Sequence, residues 1–289
     1  ELRRWLADLV RRGLADAQRE SWDFFDQPAA RMVDAQAPGL ASGLRRAGDV
    51  AGRGRDWPGR VLEELAQLHL LVSAHARLDE LPAGLAATVR TRLGYTTEVA
   101  DVVAAGERVA DRWLVLGLVD QVDEWLTTRR VWLRGLETGR PALVLSFAAP
   151  GRQLDTSLVP GFAVPGELAF YPAAQPLRAV VAEREEAVAA GRPAGDPVDA
   201  ALAGYAEALA ADPWLERWPM LLGSVAPATV DGGWCLVDTD GDALPLRAGA
   251  DPWPLLAVSG GGPVPVAGEW SRAGLLPLSC WDGERPVRL

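Results

Sequence analysis

The sequence has 289 residues, 49% of them hydrophobic, with a formal net charge of −10, a pI near 4.8 and a mean hydropathy of +0.03. That is enough apolar material for one large or two ordinary domains and excludes wholesale disorder. No apolar run reaches the roughly 18 residues that cross a bilayer, and the negative charge disfavours nucleic acid except at a local basic patch.

All 29 basic residues are arginine, which drift in a high-GC genome explains without site chemistry. The N-terminus, ELRRWLADLV, has neither an initiator Met nor a signal-peptide core. This suggests a piece of a longer protein, working in the cytoplasm.

Residues 1–95 predict a helical bundle. Leu2, Leu6, Leu9 and Val10 share one helical face. Asp26 or Gln27 followed by Pro28 suits a helix start, because proline is tolerated in a first turn, and Pro38 breaks or kinks that helix. Leu40 and Leu44 continue a short helix. Asp56 is a good N-cap for the strongest period in the chain, Val61, Leu62, Leu65, Leu68, Leu71 and Val72. Leu85, Val89 and Leu93 give one more helix, and residues 96–110 read as a connector.

Residues 111–190 predict a β-meander. Asp111 to Ala149 reads as three strands with two polar turns, one acidic (Asp120, Asp123, Glu124) and one at Gly139. The first and third strands are apolar on both faces, as covered strands are. The middle strand carries Arg129, Arg130 and Arg134 around Trp132, so part of it should reach solvent. Prolines then limit short strands at 162–164, 167–171 and 177–181. Residues 191–289 predict a turn-rich linker, a helix over 198–210, and a hairpin across Asp240-Gly241, packed on the same sheet as the meander. Two further strands, at 255–259 and 264–268, flank three glycines. The fold class is α+β, a helical bundle followed by a mixed, mostly antiparallel β-rich region with one intervening helix.

No catalytic residue stands out. Asp238, Asp240 and Asp242 start like a calcium loop, but Ala243 and Gly249 occupy the positions that need Gly and Glu, so a hairpin turn is favoured. Ser259-Gly260-Gly261-Gly262 lacks the following Lys and helix of a phosphate loop, and Ser259 is not in a GxSxG context. His69 and His75 are spaced for different helix faces. Cys235 and Cys280 fit buried thiols, a disulfide or a metal site, the first being favoured in a reducing compartment. The 12 tryptophans fit a core, with some as interface anchors, and Arg129, Arg130, Trp132 and Arg134 form the best candidate group for contacting a partner.

Five strings, RMVDAQAPGL (31–40), LPAGLAATVRTRLG (81–94), LTTRRVWL (126–133), DPWLERWP (212–219) and VSGGGPVPVAGEW (258–270), resemble the C-terminal region of actinobacterial SWIM zinc-finger family proteins. The family's zinc belongs to an N-terminal CxCx(n)CxH module whose thiolates and imidazole would close a tetrahedral site. That motif is absent from this sequence, so the resemblance implies zinc, and any nucleic-acid contact, only through the finger of the full-length protein. It also implies a non-catalytic adaptor acting with a MoxR-type AAA+ ATPase or a von Willebrand factor A (VWA)-type protein. The alternative is a small-molecule-binding or enzymatic domain with a pocket between the helical and β parts.

Overall fold

The computed structural model describes residues 1–123 and 125–289, with the backbone alone over residues 15–23. Glu124, one of the acids expected in the first turn, lies outside the described residues. The chain divides into two units, Glu1–Glu98 with Pro172–Ala174, and Val99–Tyr171 with Gln175–Leu289. The expected connector at 96–110 is therefore mostly structure of the second unit.

The helical unit contains α1 (Leu2–Arg12), α2 (Ala15–Asp34), α3 (Pro38–Val50), α4 (Trp57–His75) and α5 (Ala83–Leu93). Apolar residues at helical spacing bury Leu2, Leu6 and Leu9 from α1 and Val61, Leu65, Leu68 and Leu71 from α4, while Leu62 faces outward. Pro28 does not start a helix, because α2 runs through it. Phe25 and Ala29, one turn apart, are both buried across the proline, so packing outweighs the lost N–H. Pro38 opens α3. Gly43 brings α3 against α4, since a Cβ there would lie 2.6 Å from Leu68. The C-terminus of α5 is a Schellman cap. Gly94, at φ 111°, donates to Thr91 and Tyr95 donates to Arg90. His69 and His75 are exposed on α4. Among the described residues no helix is long and apolar enough to cross a membrane.

The β-rich unit begins with α6 (Val99–Ala105) and then β1 (Glu107–Val122), β2 (Thr127–Gly135), β3 (Pro141–Ala148), β4 (Phe162–Phe170), β5 (Arg178–Arg184) and β6 (Val188–Ala189). The three-strand meander expected from 111 to 149 is present. β1 is long enough to pair antiparallel with β2 along its second half and with β4 along its first. β3 meets β5 in parallel at Leu143 and Val144, and β5 pairs with β4. The strands therefore close into a ring, β1-β2-β3-β5-β4-β1, the connectivity of an OB-type barrel. β4 is one strand, not two. It is zipped to β1 on both sides of Pro165, whose carbonyl accepts from Glu185. Alternation along β1 sends Trp113 and Val115 into the barrel with Val131, Leu133 and Phe170, and Leu114 and Leu116 outward.

Residues 191–289 build their own sheet and do not extend the first. They form α7 (Val198–Ala211), β7 (Trp218–Val230), β8 (Gly233–Asp238), β9 (Ala243–Pro245), α8 (Trp253–Ser259), β10 (Val264–Ser271), β11 (Gly274–Asp282) and β12 (Arg285–Arg288). β7 pairs with both β8 and β10, and a parallel bridge from Leu246 to Leu275 joins the end of β9 to β11. The second half thus repeats the ring of the first, and two strings recur with it. RWLVLG (112–117) in β1 matches RWPMLLG (217–223) in β7, and VPGEL (164–168) in β4 matches VAGEW (266–270) in β10.

The expected strand at 255–259 is helix α8. The Asp251 carboxylate accepts from the Trp253 N–H, and Gly260, at φ 59°, caps the other end, so the glycine run works as a helix stop. The hairpin across Asp240-Gly241 is present, with Gly241 at φ 91°.

Candidate functional site

The outer faces of the two barrels meet within the β-rich unit. Leu114, Leu116 and Trp132 from the first pack against Leu221, Ala267, Leu278 and Trp281 from the second. The Ser279 hydroxyl donates to the Leu116 carbonyl across this seam. The strand 2–3 face is the one OB barrels commonly offer to oligonucleotides and sugars. Here its β2 part is covered by protein.

Polar side chains at the seam converge on Glu269, which is 3% exposed. The Trp132 indole N–H donates to Oε2 at 2.9 Å, Arg130 Nε reaches the same oxygen at 3.1 Å, and Arg217 Nε lies 3.3 Å from Oε1. A carboxylate this buried is tolerable because two guanidiniums and an indole replace its water. Arg134, further along β2, forms a two-pronged pair with Asp196, Nη1 to Oδ2 being 2.6 Å. Arg129 faces the other way. It holds Asp120 through two 2.7 Å bonds and donates to the Asp155 carbonyl. The Arg129 hydrogen bonds hold the Asp120 carboxyl below its ordinary range.

The four residues singled out from the sequence therefore do not form an open patch. Trp132 is 1% exposed, and the arginines each have an internal carboxylate. Their partners Glu269 and Asp196 were not legible, because they lie far along the chain. The recurrence of VPGEL as VAGEW was the one available signal for Glu269. The third strand of the meander also departs from expectation. β3 is only half-buried, with Phe147 exposed, while the centre of β2 is covered on both faces.

Exposed apolar side chains lie instead at one end of the first barrel, Val122 and Phe147 on opposite faces of the sheet. Val122 and Trp125, 76% and 81% exposed, flank the β1–β2 turn with Leu126, and Phe147 is paired with Thr128 just inside that end. The turn is closed by a hydrogen bond from Asp123 to Leu126.

Among the described residues no group of three or more His, Cys, Asp or Glu side chains is placed to hold a metal. Cys235 and Cys280 are separate buried thiols. Burial, with Asp282 nearby, pushes Cys280 up to about 11, and burial also raises Cys235. Asp238 is engaged in structure. Its carboxylate accepts from Asp240 and Asp242 in the hairpin and from Val198 at the start of α7.

A helical bundle joined to a β-rich unit of two like-connected barrels defines an α+β protein. Residues 1–93 match the family model of the SWIM-associated four-helix bundle domain, which relates the chain to SWIM-type proteins through its helical unit. No curated protein and no solved structure matched the chain.

Proposed function

We propose that this chain is a non-catalytic interaction region of a SWIM-type zinc-finger protein and that it holds a protein partner at the end of the first barrel. The observation that carries this reading is the exposure of Val122, Trp125 and Leu126 around the β1–β2 turn, with Phe147 exposed at the same end of the barrel. Large apolar side chains left in water at one end of a domain mark contact surfaces, and tryptophan is a favoured anchor. The relation to SWIM-type proteins supports the adaptor role, and the resemblance described above supplies the partner class, a MoxR-type AAA+ ATPase or VWA-type protein. Zinc, on this reading, belongs to the finger module and not to these residues.

Affinity capture from the native host tests the proposal. Wild-type protein is expected to recover an ATPase or VWA-type protein, and a Trp125→Ala/Phe147→Ala variant to lose it. Recovery of neither class, or equal recovery by the variant, refutes it.

A further inference from the structure

A cleft of about 170 Å³ opens in the β-rich unit beside the barrel seam. Its apolar wall is Leu116, Trp218 and Met220, and the Arg134–Asp196 pair stands in the same lining. Its size is informative. An engineered cavity of about 150 Å³ takes benzene, whereas drug-sized ligands and cofactors need about 300–1,000 Å³. The cleft therefore suits one apolar side chain.

Two features indicate an occupant. Asp196 is fixed by its backbone, its N–H donating to Leu221 at 2.8 Å and its carbonyl accepting from Gly223 at 3.0 Å. The ion pair is thus held at a set place on the wall, with both side chains partly open to solvent. Gly204 lies inside α7 and lines the same cleft. Glycine is among the poorest residues for a helix interior, yet a Cβ at Gly204 would meet nothing within 4 Å. The glycine leaves that space open toward the cleft, where a ligand can occupy it.

We propose that the cleft binds a free α-amino acid with an apolar side chain of leucine to phenylalanine size. Arg134 uses two N–H groups on Asp196, leaving its remaining donors for a carboxylate, and each Asp196 oxygen keeps a lone pair for an ammonium. A cation and an anion held side by side match the two charged ends of an amino acid, and the apolar wall takes its side chain.

Calorimetric titration and thermal unfolding of the full chain with L-leucine, L-methionine and L-phenylalanine test this. At least one should bind, and its N-acetyl and its amide forms should each bind about tenfold or more weakly, because each removes one charge-assisted contact. Asp196→Asn should weaken binding similarly. Gly204→Leu should abolish it without lowering the unfolding midpoint, so loss of binding is separable from loss of fold. Trp125→Ala should leave it unchanged, which keeps this test independent of the partner proposal. No binding by any of the three at about 10 mM, where even a millimolar Kd gives a clear stabilisation, overturns the inference. So does equal binding of a blocked form, or undiminished binding by Gly204→Leu.

Discussion

Replacing Glu269 by Gln keeps the side chain's size and removes only its charge, so the result reads electrostatics and not packing. Arg130 would then lose its nearest carboxylate while its own side chain is 11% exposed. Leaving one member of a buried pair uncompensated costs about 3–5 kcal/mol when the partner is deleted outright. Glutamine still offers an acceptor to the Trp132 N–H, and Arg130 retains its bond to Gln121, so about 2–3 kcal/mol is expected here. For a unit of this size that lowers the unfolding midpoint by about 5–10 °C. Near-UV circular dichroism is a suitable readout, because Trp113, Trp132 and Trp281 are all buried in this unit. Arg217→Ala is the internal control. Its side chain is 41% exposed, so its loss should cost about 1 kcal/mol or less. A cost below about 0.5 kcal/mol for Glu269→Gln, within the range of an ordinary surface change, would refute the hub reasoning, as would an Arg217→Ala cost equal to that of Arg130→Ala.

Asp111→Asn tests the buried β1 carboxylate that holds the β2–β3 turn. Burial alone would raise this carboxyl, but hydrogen bonds from the Thr138 hydroxyl and N–H and from the Glu137 and Arg112 N–H groups overcome that and hold it below its ordinary value. A lowered folded value means the stability it contributes is full above the unfolded value of about 3.9 and is lost as pH falls through the folded one. The variant should therefore be about 1–3 kcal/mol less stable at pH 7, and urea titrations should show the gap narrowing below about pH 4. A constant gap would count against this account. Gly204→Ala should raise stability by about 0.5–1 kcal/mol by chemical denaturation, from helix propensity alone. Trp125→Ala should change the urea midpoint by no more than about 0.5 kcal/mol equivalent, since the ring is 81% exposed; a larger loss would mean that the ring is a packing element.

Local features were readable where a short stretch decides its own conformation. The period of Val61, Leu65 and Leu68 defines α4, and the Asp240-Gly241 turn defines its hairpin. The apolar run from Trp113 to Leu116 announces a strand buried on both faces. The sequence could not say that one face is a barrel interior and the other a seam with a second barrel, because the strands that cover it are far away in the chain. Pro28 looks like a helix start and Pro165 like a strand break, but both sit inside elements, since neighbouring burial and strand pairing outweigh a missing N–H. The stretch 253–259 has a strand's apolar content, yet the Asp251 turn onto the Trp253 N–H leads the chain into a helix that Gly260 ends.

The arginines show the same division. Composition alone settles that Arg129, Arg130 and Arg134 are charged and must find water or carboxylates. Only the tertiary structure decides that Asp120, Glu269 and Asp196 receive them, because an ion pair depends on distance in space and not on separation along the chain.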